Sequence, residues 1–419
     1  MNTNSYISYL YSGYLNIQRD FEWLDKCSSS CADNEYDVES LVFLFDEVFD
    51  KLFQETNFSN HLIPLSGGWD SRAILGAALD RVDRKEIQTI SFGTKGQLDF
   101  DIGKHISMQL GIEHFALDLN TVKFDWDDLL LSVKRSPWTY VPDAYFNSIA
   151  RKTFQNTSVW VGFLGDPLAG SHLFDNYRNF DATKTAFIQR QQKPQKNILL
   201  PPNYKVELGP LEQEKVKTTL HWDDFFDLTV RQANCIAPIV LPVKRWSSWE
   251  DHHIRQEFND VIAPFATKAW VSYWINAPRK LRNNQQLYLA MLRYKFPLLF
   301  KMPSKYYYGA SAAGSQKYHL NKFKHRFLSK IYRHFPQLGV KSNIMLNYLD
   351  FNEMFRKRKD YQEVLATASD FLEKNDICPW IDIKKMNVEH NRLKVDHGTN
   401  FLLLIGLAAN LCADNIVES

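Results

Sequence analysis

The chain has 419 residues and a nearly balanced charge, with 50 Lys and Arg against 48 Asp and Glu. Hydrophobic residues make up 45% of it, which excludes a largely disordered protein, and the near-zero net charge argues against a dedicated nucleic-acid binder. A chain of this length can form one large core with appendages or two packed domains.

The cysteines and the N-terminal residues favour a cytoplasmic protein. The cysteines are odd in number, and none has the CxxC spacing of zinc ribbons or thiol–disulfide enzymes, so we expect reduced thiols. The first residues lack the basic start and apolar run of a signal peptide. The longest apolar run, residues 401–411, is too short to cross a bilayer and predicts a buried helix. The cysteines are Cys27, Cys31, Cys235, Cys378 and Cys412.

The elements follow in an order that is typical of an α/β domain. Residues 38–53 carry apolar side chains at helical spacing. Residues 61–117 then alternate between short apolar runs and amphipathic stretches, HLIPL, RAILGAALDRV, QTISFG, GKHISMQLG and HFALDL. This alternation of strands and helices predicts a parallel sheet with helices on its faces. A further strand, SVWVGF, precedes Gly165-Asp166, and mainly helical patterns follow from about residue 223.

The most specific motif is the segment between the first strand and the next helix, Leu65-Ser66-Gly67-Gly68-Trp69-Asp70-Ser71. The glycines let backbone N–H groups turn inward, the serines add hydroxyls, and the helix directs its positive end to the same place. Together they predict a cradle for a diphosphate. Asp70 would repel a phosphate without an intervening cation, so we interpret it as a Mg²⁺ ligand. The spacing differs from a Walker A loop. An ordinary glycine-rich turn with a serine cap is the simpler alternative.

This segment resembles the SGGxDS loop of the ATP pyrophosphatase (PP-loop) group. The group includes asparagine synthetase, β-lactam and carbapenam synthetases, lasso-peptide cyclases, argininosuccinate synthetase, NAD synthetase and tRNA-thiolating enzymes. The resemblance implies an α/β parallel-sheet domain of the adenine nucleotide alpha hydrolase type with a mainly helical C-terminal portion. It also implies that ATP and Mg²⁺ are used, and that ATP is cleaved to AMP and pyrophosphate.

Three further segments are similar to the asparagine-synthetase branch. Ser91-Phe92-Gly93 resembles its SFG segment against the adenosine, and WVGFLGDPLAGSH resembles its LSGEGADELFGGY. KFPLLFKMPSKYYYG resembles its LLPEEVLWRPKKGF, which places the branch's catalytic lysine on Lys305; a solvated surface lysine is the alternative. The resemblance implies three catalytic residues, Asp70, Asp166 and Lys305, of which the two aspartates hold the metal. It implies nucleotide contacts from Leu65, Ser66, Gly67, Gly68, Asp70, Ser71, Ser91, Phe92, Gly93 and Gly165.

The chain departs from that branch in two respects. Its second residue is Asn2 rather than a cysteine nucleophile, so we expect no glutamine-hydrolysing domain; nitrogen would come from ammonia, a separate amidotransferase or a substrate amine. Phe163 stands where the branch has a glutamate base, and Pro167 replaces the acidic residue after the aspartate. Tyr140, Asp143 and Tyr145 are the candidates to replace that base, although each is also readily explained as a pocket wall or surface residue.

The charge is distributed unevenly, because residues 261–349 contain no aspartate or glutamate but many lysines and arginines. This region could be a set of surface helices whose acidic partners lie elsewhere in the fold. Alternatively, it could be an electropositive surface for an anionic acceptor, such as a uronic-acid glycan, a diphosphate-linked lipid precursor or an acidic peptide. Peripheral contact with a membrane through this region is also open.

The sequence thus predicts an appendage at residues 1–55, an ATP pyrophosphatase domain at 56–310 and a helical basic portion at 311–419. The expected function is an ATP-dependent amide ligase that adenylates a carboxylate and transfers it to ammonia or a substrate amine on a small molecule, a peptide or an acidic glycan. The alternatives are a free-ammonia asparagine synthetase and a nucleotide-binding protein that has lost catalysis. A tRNA-modifying enzyme would need a reactive cysteine pair or an RNA-binding appendage, and neither is evident, so no nucleic-acid partner is expected.

Overall fold

The computed structural model describes residues 6–7, 9–10, 35–135, 138, 140–154, 156–171, 196–204, 261–344, 346 and 348–417. Within them lies one sheet of parallel strands in the order β3-β2-β1-β4-β5. The predicted α/β class with a parallel sheet is therefore confirmed. The strands are β1 (His61–Pro64), β2 (Ile87–Gly93), β3 (Glu113–Asp118), β4 (Ser158–Trp160) and β5 (Val261–Ile262).

Helices surround the sheet and dominate the chain after it. The helices before β5 are α1 (Val38–Gln54), α2 (Asp70–Leu79), α3 (Leu98–Leu110), α4 (Trp126–Arg135), α5 (Val141–Thr153) and α6 (Gly165–Ala169). Those after it are α7 (Lys268–Asn276), α8 (Arg279–Arg282), α9 (Gln286–Lys295), α10 (Pro297–Phe300), α11 (Gln316–His334), α12 (Phe351–Lys357), α13 (Lys359–Lys374), α14 (Ile383–Asn391) and α15 (Gly398–Val417). Among the described residues, none of these is long and apolar enough to cross a bilayer.

The strand order creates a topological switch point beside β1. The chain proceeds from β1 to β2 and β3 on one side, and returns to β4 and β5 on the other. His61 of β1 is therefore paired with Ile87 of β2 and with Ser158 of β4. In open parallel sheets the crevice at the carboxyl ends of the two strands flanking such a point is the usual ligand site. The strand order thus selects the loops after β1 and β4 as the place to look for function.

Helix α1 is an integral part of the first hydrophobic core. Asp37 and Ser40 form a capping box at its start, since each side chain accepts from the backbone N–H of the other. Leu41, Phe45 and Phe49 on its inner face are fully buried, and the Phe49 ring stacks on Trp160 of β4. The predicted appendage at residues 1–55 therefore contains a helix that packs directly onto the sheet domain.

A second hydrophobic core lies among the later helices, and it also includes several buried residues between Leu119 and Phe146. Helix α15 supplies its centre, because residues 401–409 are almost entirely buried against α4, α5, α12 and α13. The second core thus contains residues from both sides of position 310. The two cysteines in this part, Cys378 and Cys412, are free thiols. The other three, Cys27, Cys31 and Cys235, lie outside the described residues.

Candidate phosphate and metal site

The loop of residues 65–71 leaves β1 at the switch point and is fixed to β2 by two hydrogen bonds. The N–H of Leu65 donates to the Ile90 carbonyl at 2.8 Å, and the buried Ser91 hydroxyl donates to the Leu65 carbonyl at 2.6 Å. Gly103 of α3 packs against this junction so closely that a Cβ there would lie 2.2 Å from Ser91 Oγ. The start of the loop is therefore rigidly held before the glycines begin.

The two serines of the loop fold it back on itself. Ser66 donates its N–H to Ser71 Oγ at 3.2 Å, and the two hydroxyl oxygens are also 3.2 Å apart. Gly68 donates its N–H to Ser66 Oγ at 3.2 Å. Helix α2 begins immediately after this turn, so its N-terminal N–H groups and positive dipole end lie next to the loop.

A carboxylate occupies the mouth of the loop. Asp99, in the first turn of α3, accepts the Gly67 N–H through Oδ1 at 2.9 Å. Its other oxygen, Oδ2, accepts from Lys305 Nζ at 3.1 Å. The loop and the lysine therefore already stabilise negative charge between them. This arrangement is what a phosphate would require, because the same N–H and ammonium groups would face its oxygens.

Lys305 is brought to the loop by the short turn of residues 302–307, which we call the lysine turn. Its own N–H and the Ser304 hydroxyl both donate to the Gly67 carbonyl at 3.1 Å. Lys305 Nζ lies 4.0 Å from the position that a Cβ on Gly68 would occupy, and the side chain stays partly exposed. The structure thus places the sequence-predicted lysine directly over the two loop glycines.

Arg72 ties the loop to this turn from the buried side. Its side chain is completely buried, and it lies over the Trp69 ring at 5.1 Å. Burial lowers the pKa of Arg72 to about 10, so the guanidinium stays charged at neutral pH. It donates to four backbone carbonyl oxygens, those of Gly67, Leu299, Met302 and Pro303. One cation therefore fixes the geometry between the loop and the lysine turn.

Asp70 and Asp166 form a close acidic pair where β1 and β4 end. Asp70 Oδ2 accepts from the Asp166 N–H at 3.0 Å, while Asp70 Oδ1 accepts from the Tyr288 hydroxyl at 2.9 Å. Asp166 Oδ2 accepts from the Ser171 hydroxyl at 2.9 Å. Burial, together with the negative charge of Asp166, raises the pKa of Asp70 well above its usual range. The pair consequently has an electrostatic demand for a cation.

Two glycines allow these carboxylates to approach each other. A Cβ on Gly165 would lie 2.5 Å from Asp70 Cγ, and a Cβ on Gly162 would lie 2.9 Å from Asp70 Cβ. No side chain fits at either position unless Asp70 moves. The Gly162 and Gly165 positions are therefore set by contact with the acidic pair.

The donor set fits Mg²⁺ that is also bound to a phosphate. Mg²⁺ prefers oxygen ligands, and it is usually held by one or two carboxylates together with waters and substrate phosphates. Asp70 and Asp166 supply two such carboxylates next to the loop. Within the described ranges, no group of three or more His, Cys, Asp or Glu side chains could form an all-protein metal site. A metal here would consequently depend on a ligand to complete its coordination.

The residues at the end of β2, which the sequence predicts as nucleotide contacts, are packed and hydrogen-bonded within the protein. The Ser91 hydroxyl is engaged by the Leu65 carbonyl, and Phe92 packs against apolar residues under the sheet edge. Gly93 has a φ of +146°, and a Cβ there would lie 2.3 Å from Gln97 Oε1. The nearby Gln97 Nε2 is buried and, among the described atoms, has no hydrogen-bond partner. This orphaned donor is the polar group at this edge that a nucleoside could satisfy.

Two of the residues that the sequence suggests as a replacement base, Tyr140 and Tyr145, pack in the second core. Tyr145 is buried in the second core, where its hydroxyl donates to the Lys123 carbonyl at 2.7 Å and accepts the Asp125 N–H at 3.1 Å. Tyr140 packs against the same core. Phe163, three residues before Asp166, is partly buried and packs against the first core. The side chain of Asp143 lies outside the described residues.

Four residues of the site had no assigned role in the sequence. Asp99 and Ser304 contact the loop, Tyr288 holds Asp70, and Arg72 joins the loop to the lysine turn. Only Asp99 gave a signal, as an acidic residue in the first turn of the helix after the SFG segment. The others become visible only when distant parts of the chain are in contact.

Comparison with protein-family models and with curated proteins gives no match for this chain.

Proposed function

We propose that this protein is an ATP-dependent amide ligase of the ATP pyrophosphatase type, acting in the cytoplasm. One observation carries the proposal: the glycine loop, the acidic pair and Lys305 converge at the switch point of the sheet. The Ser304 hydroxyl reaches the Gly67 carbonyl across 237 residues of sequence, so their meeting is a property of the fold. An ordinary strand-to-helix turn would need neither the lysine nor the paired carboxylates.

In the proposed reaction a carboxylate oxygen of the substrate attacks the α-phosphorus of ATP. The bond between the α-phosphorus and the bridging oxygen breaks, pyrophosphate leaves, and an acyl-adenylate remains. An amine then attacks the acyl carbon, AMP leaves with the carboxylate-derived oxygen, and the amine gives up a proton. Mg²⁺ bound to Asp70 and Asp166 would neutralise the phosphate charge.

The residues of this chain contribute mainly position and charge. The loop N–H groups and the Lys305 ammonium would bind the β- and γ-phosphates in place of the Asp99 carboxylate. Lys305 would also stabilise the charge that develops when the amine attacks. Because Phe163 cannot accept a proton, the amine would arrive neutral, or it would lose its proton to another group of the protein, to a substrate group or to water.

The acceptor is proposed to be a peptide or an acidic glycan, on the basis of the basic stretch at residues 261–349. Free ammonia with aspartate is the narrower alternative within the same chemistry. A second candidate function is nucleotide binding without turnover. It is favoured by the apolar Phe163 and by Pro167, because neither supplies the acid–base group that a ligase of this type would use there.

The test is pyrophosphate release from Mg·ATP, measured for the native protein and for Asp70→Ala. Amino acids, uronic acids and acidic peptides are supplied one at a time, each with and without ammonia. The proposal expects release that depends on one class of acid and vanishes in Asp70→Ala. Asp370→Ala, an exposed position on α13, is the matched control and should retain the activity. Mg·ATP binding without release for any acid would instead support the binding protein.

A further inference from the structure

Helix α11 has no buried residue. Three large apolar side chains lie on its outer surface at spacings of three and four residues: Leu320 is 67% exposed, Phe323 67% and Phe327 54%. The rings of Phe323 and Phe327 stack at 6.1 Å. Two further apolar side chains beyond the helix, Phe335 and Leu338, are also exposed. A contiguous exposed apolar stripe of this kind is unusual on a monomer and indicates a docking surface.

Polar contacts on the opposite face of α11 fix the orientation of the apolar stripe. Asn321 Nδ2 donates to the Tyr308 carbonyl at 2.7 Å, and the Ser342 hydroxyl is hydrogen-bonded to His325 Nδ1 at 2.9 Å. These two positions are separated by four residues and share the inner face. Phe323 and Phe327 are therefore held outward by polar contacts on the far side of the helix.

The charge on α11 has a single sign. Its Lys and Arg residues are Lys317, Lys322, Lys324, Arg326, Lys330 and Arg333, and the helix contains no acidic residue. None of the six forms an ion pair with a carboxylate in the part of the chain that the structure describes. The nearby carboxylates of Asp350 and Glu353 are instead paired with Lys341. Among the described residues, the positive charge beside the stripe is consequently not paired with carboxylates.

From this combination we infer that α11 is an interfacial helix that binds the surface of an anionic lipid bilayer. A helix with Phe and Leu on one face and Lys and Arg beside them buries the apolar face at the headgroup boundary, while the cations contact anionic headgroups. A protein partner would more often require a groove or charges of both signs, and α11 presents a convex surface of one sign. The inference does not rest on nucleotide chemistry.

The test is co-sedimentation of the whole chain with vesicles, without nucleotide. Vesicles of phosphatidylcholine with phosphatidylglycerol should bind the protein, and vesicles of phosphatidylcholine alone should bind at least about tenfold less. The double variant Phe323→Ser/Phe327→Ser should bind anionic vesicles at least about tenfold more weakly. Phe43→Ser is the matched control, because Phe43 on α1 is 66% exposed and should leave binding unchanged.

Charge is tested separately with Lys324→Glu/Lys330→Glu, which should also weaken binding, while the exposed Lys394→Glu should not. All six side chains changed in these variants are exposed, so unaltered melting temperatures should show that the variants are folded. Three results would overturn the inference: no binding of the native chain, equal binding to neutral vesicles, or equal binding of the native chain and Phe323→Ser/Phe327→Ser to anionic vesicles. A dimer that Phe323→Ser/Phe327→Ser dissociates, without vesicle binding, would assign the stripe to a second copy instead.

Discussion

Asp99 places its carboxylate between the Gly67 N–H and the Lys305 ammonium, where the proposed phosphates would bind. Two opposing effects follow from this position. The negative charge competes with phosphate for the same donors, but it also keeps the lysine over the loop. These effects can be separated experimentally, because the first acts on nucleotide affinity and the second on the rate of turnover.

We predict that Asp99→Asn tightens binding of an ATP analogue by several-fold and lowers kcat by about tenfold or more. Asparagine removes the competing charge, while its weaker bond to Lys305 lets the ammonium move. Calorimetric titration and steady-state kinetics measure the two effects. The neighbouring Asp101, which accepts the Gly96 N–H, provides the control Asp101→Asn, in which both values should be unchanged. Weaker nucleotide binding in Asp99→Asn would contradict this prediction and show that the carboxylate contributes to nucleotide affinity.

Asp70 predicts a pH dependence of stability in the metal-free protein. Its pKa in the folded state is raised above the ordinary value of 3.8, first by burial and then by Asp166. The folded state therefore keeps the Asp70 proton to higher pH than the unfolded chain does. The stability linked to this proton is present below 3.8 and is lost as the pH rises through the raised pKa.

Asp70→Asn should consequently raise the melting temperature of the metal-free protein by a few degrees at neutral pH. The variant removes the buried charge, and its carboxamide oxygen can still accept the Asp166 N–H. The difference from the native protein should shrink as the pH falls toward 3.8. Thermal melts across this pH range, in the presence of a chelator, provide the measurement. A less stable variant at neutral pH would mean that Lys305 stabilises the ionised carboxylate more than burial destabilises it.

At the scale of elements, the turn between β4 and α6 requires a glycine at position 165, because a side chain there would collide with Asp70. Gly165→Ala should abolish Mg²⁺-dependent turnover while most of the fold persists, because the added Cβ displaces Asp70 from a contact of 2.5 Å. Gly111→Ala, at a φ of +65° with open space around it, should lower stability by about 1 kcal/mol and leave turnover unchanged. Kinetics and thermal melts on both variants check this. Full activity in Gly165→Ala would show that the acidic pair is not required.

The elements from β1 to β3 could be predicted from local patterns, because short apolar runs alternate with amphipathic stretches along residues 61–117. Strand β5 could not, since Val261–Ile262 is only two residues long and owes its existence to pairing with β4. The loop glycines and Lys305 were accessible through a motif resemblance, and the structure brings them together. Tyr288 and Ser304 were not accessible, because nothing in their local sequence distinguishes them from ordinary surface or core residues. The roles of all these residues remain predictions.

At the scale of the whole molecule, the central parts of the candidate site draw on the first core. The loop, the acidic pair and the lysine turn all pack on residues of that core, while the second core lies among α4, α5 and the helices after α11. The loop, the acidic pair and the lysine turn are thus supported by a different set of apolar contacts from the part built around α15.

A nonhydrolysable Mg·ATP analogue should therefore raise the melting temperature of the native protein. At a ligand concentration of one hundred times Kd, the stabilisation is about 2.7 kcal/mol. Asp70→Ala should show much less of this effect, and Leu404→Ala in the second core should show all of it. The latter variant starts from a stability that is lower by about 2–5 kcal/mol. Equal shifts in native protein and Asp70→Ala would place the nucleotide elsewhere.

The contacts of Arg72 have a consequence for synthesis of the chain. Its partner Pro303 follows 231 residues later, so the guanidinium has no acceptors from the lysine turn when it first leaves the ribosome. At about 5–20 residues per second, this interval lasts roughly 10–50 s. Throughout that time the nascent chain carries a glycine loop without its lysine, an aspartate without its tyrosine, and an arginine awaiting burial. Affinity for nucleotide should accordingly arise late in translation, after residue 310 has emerged.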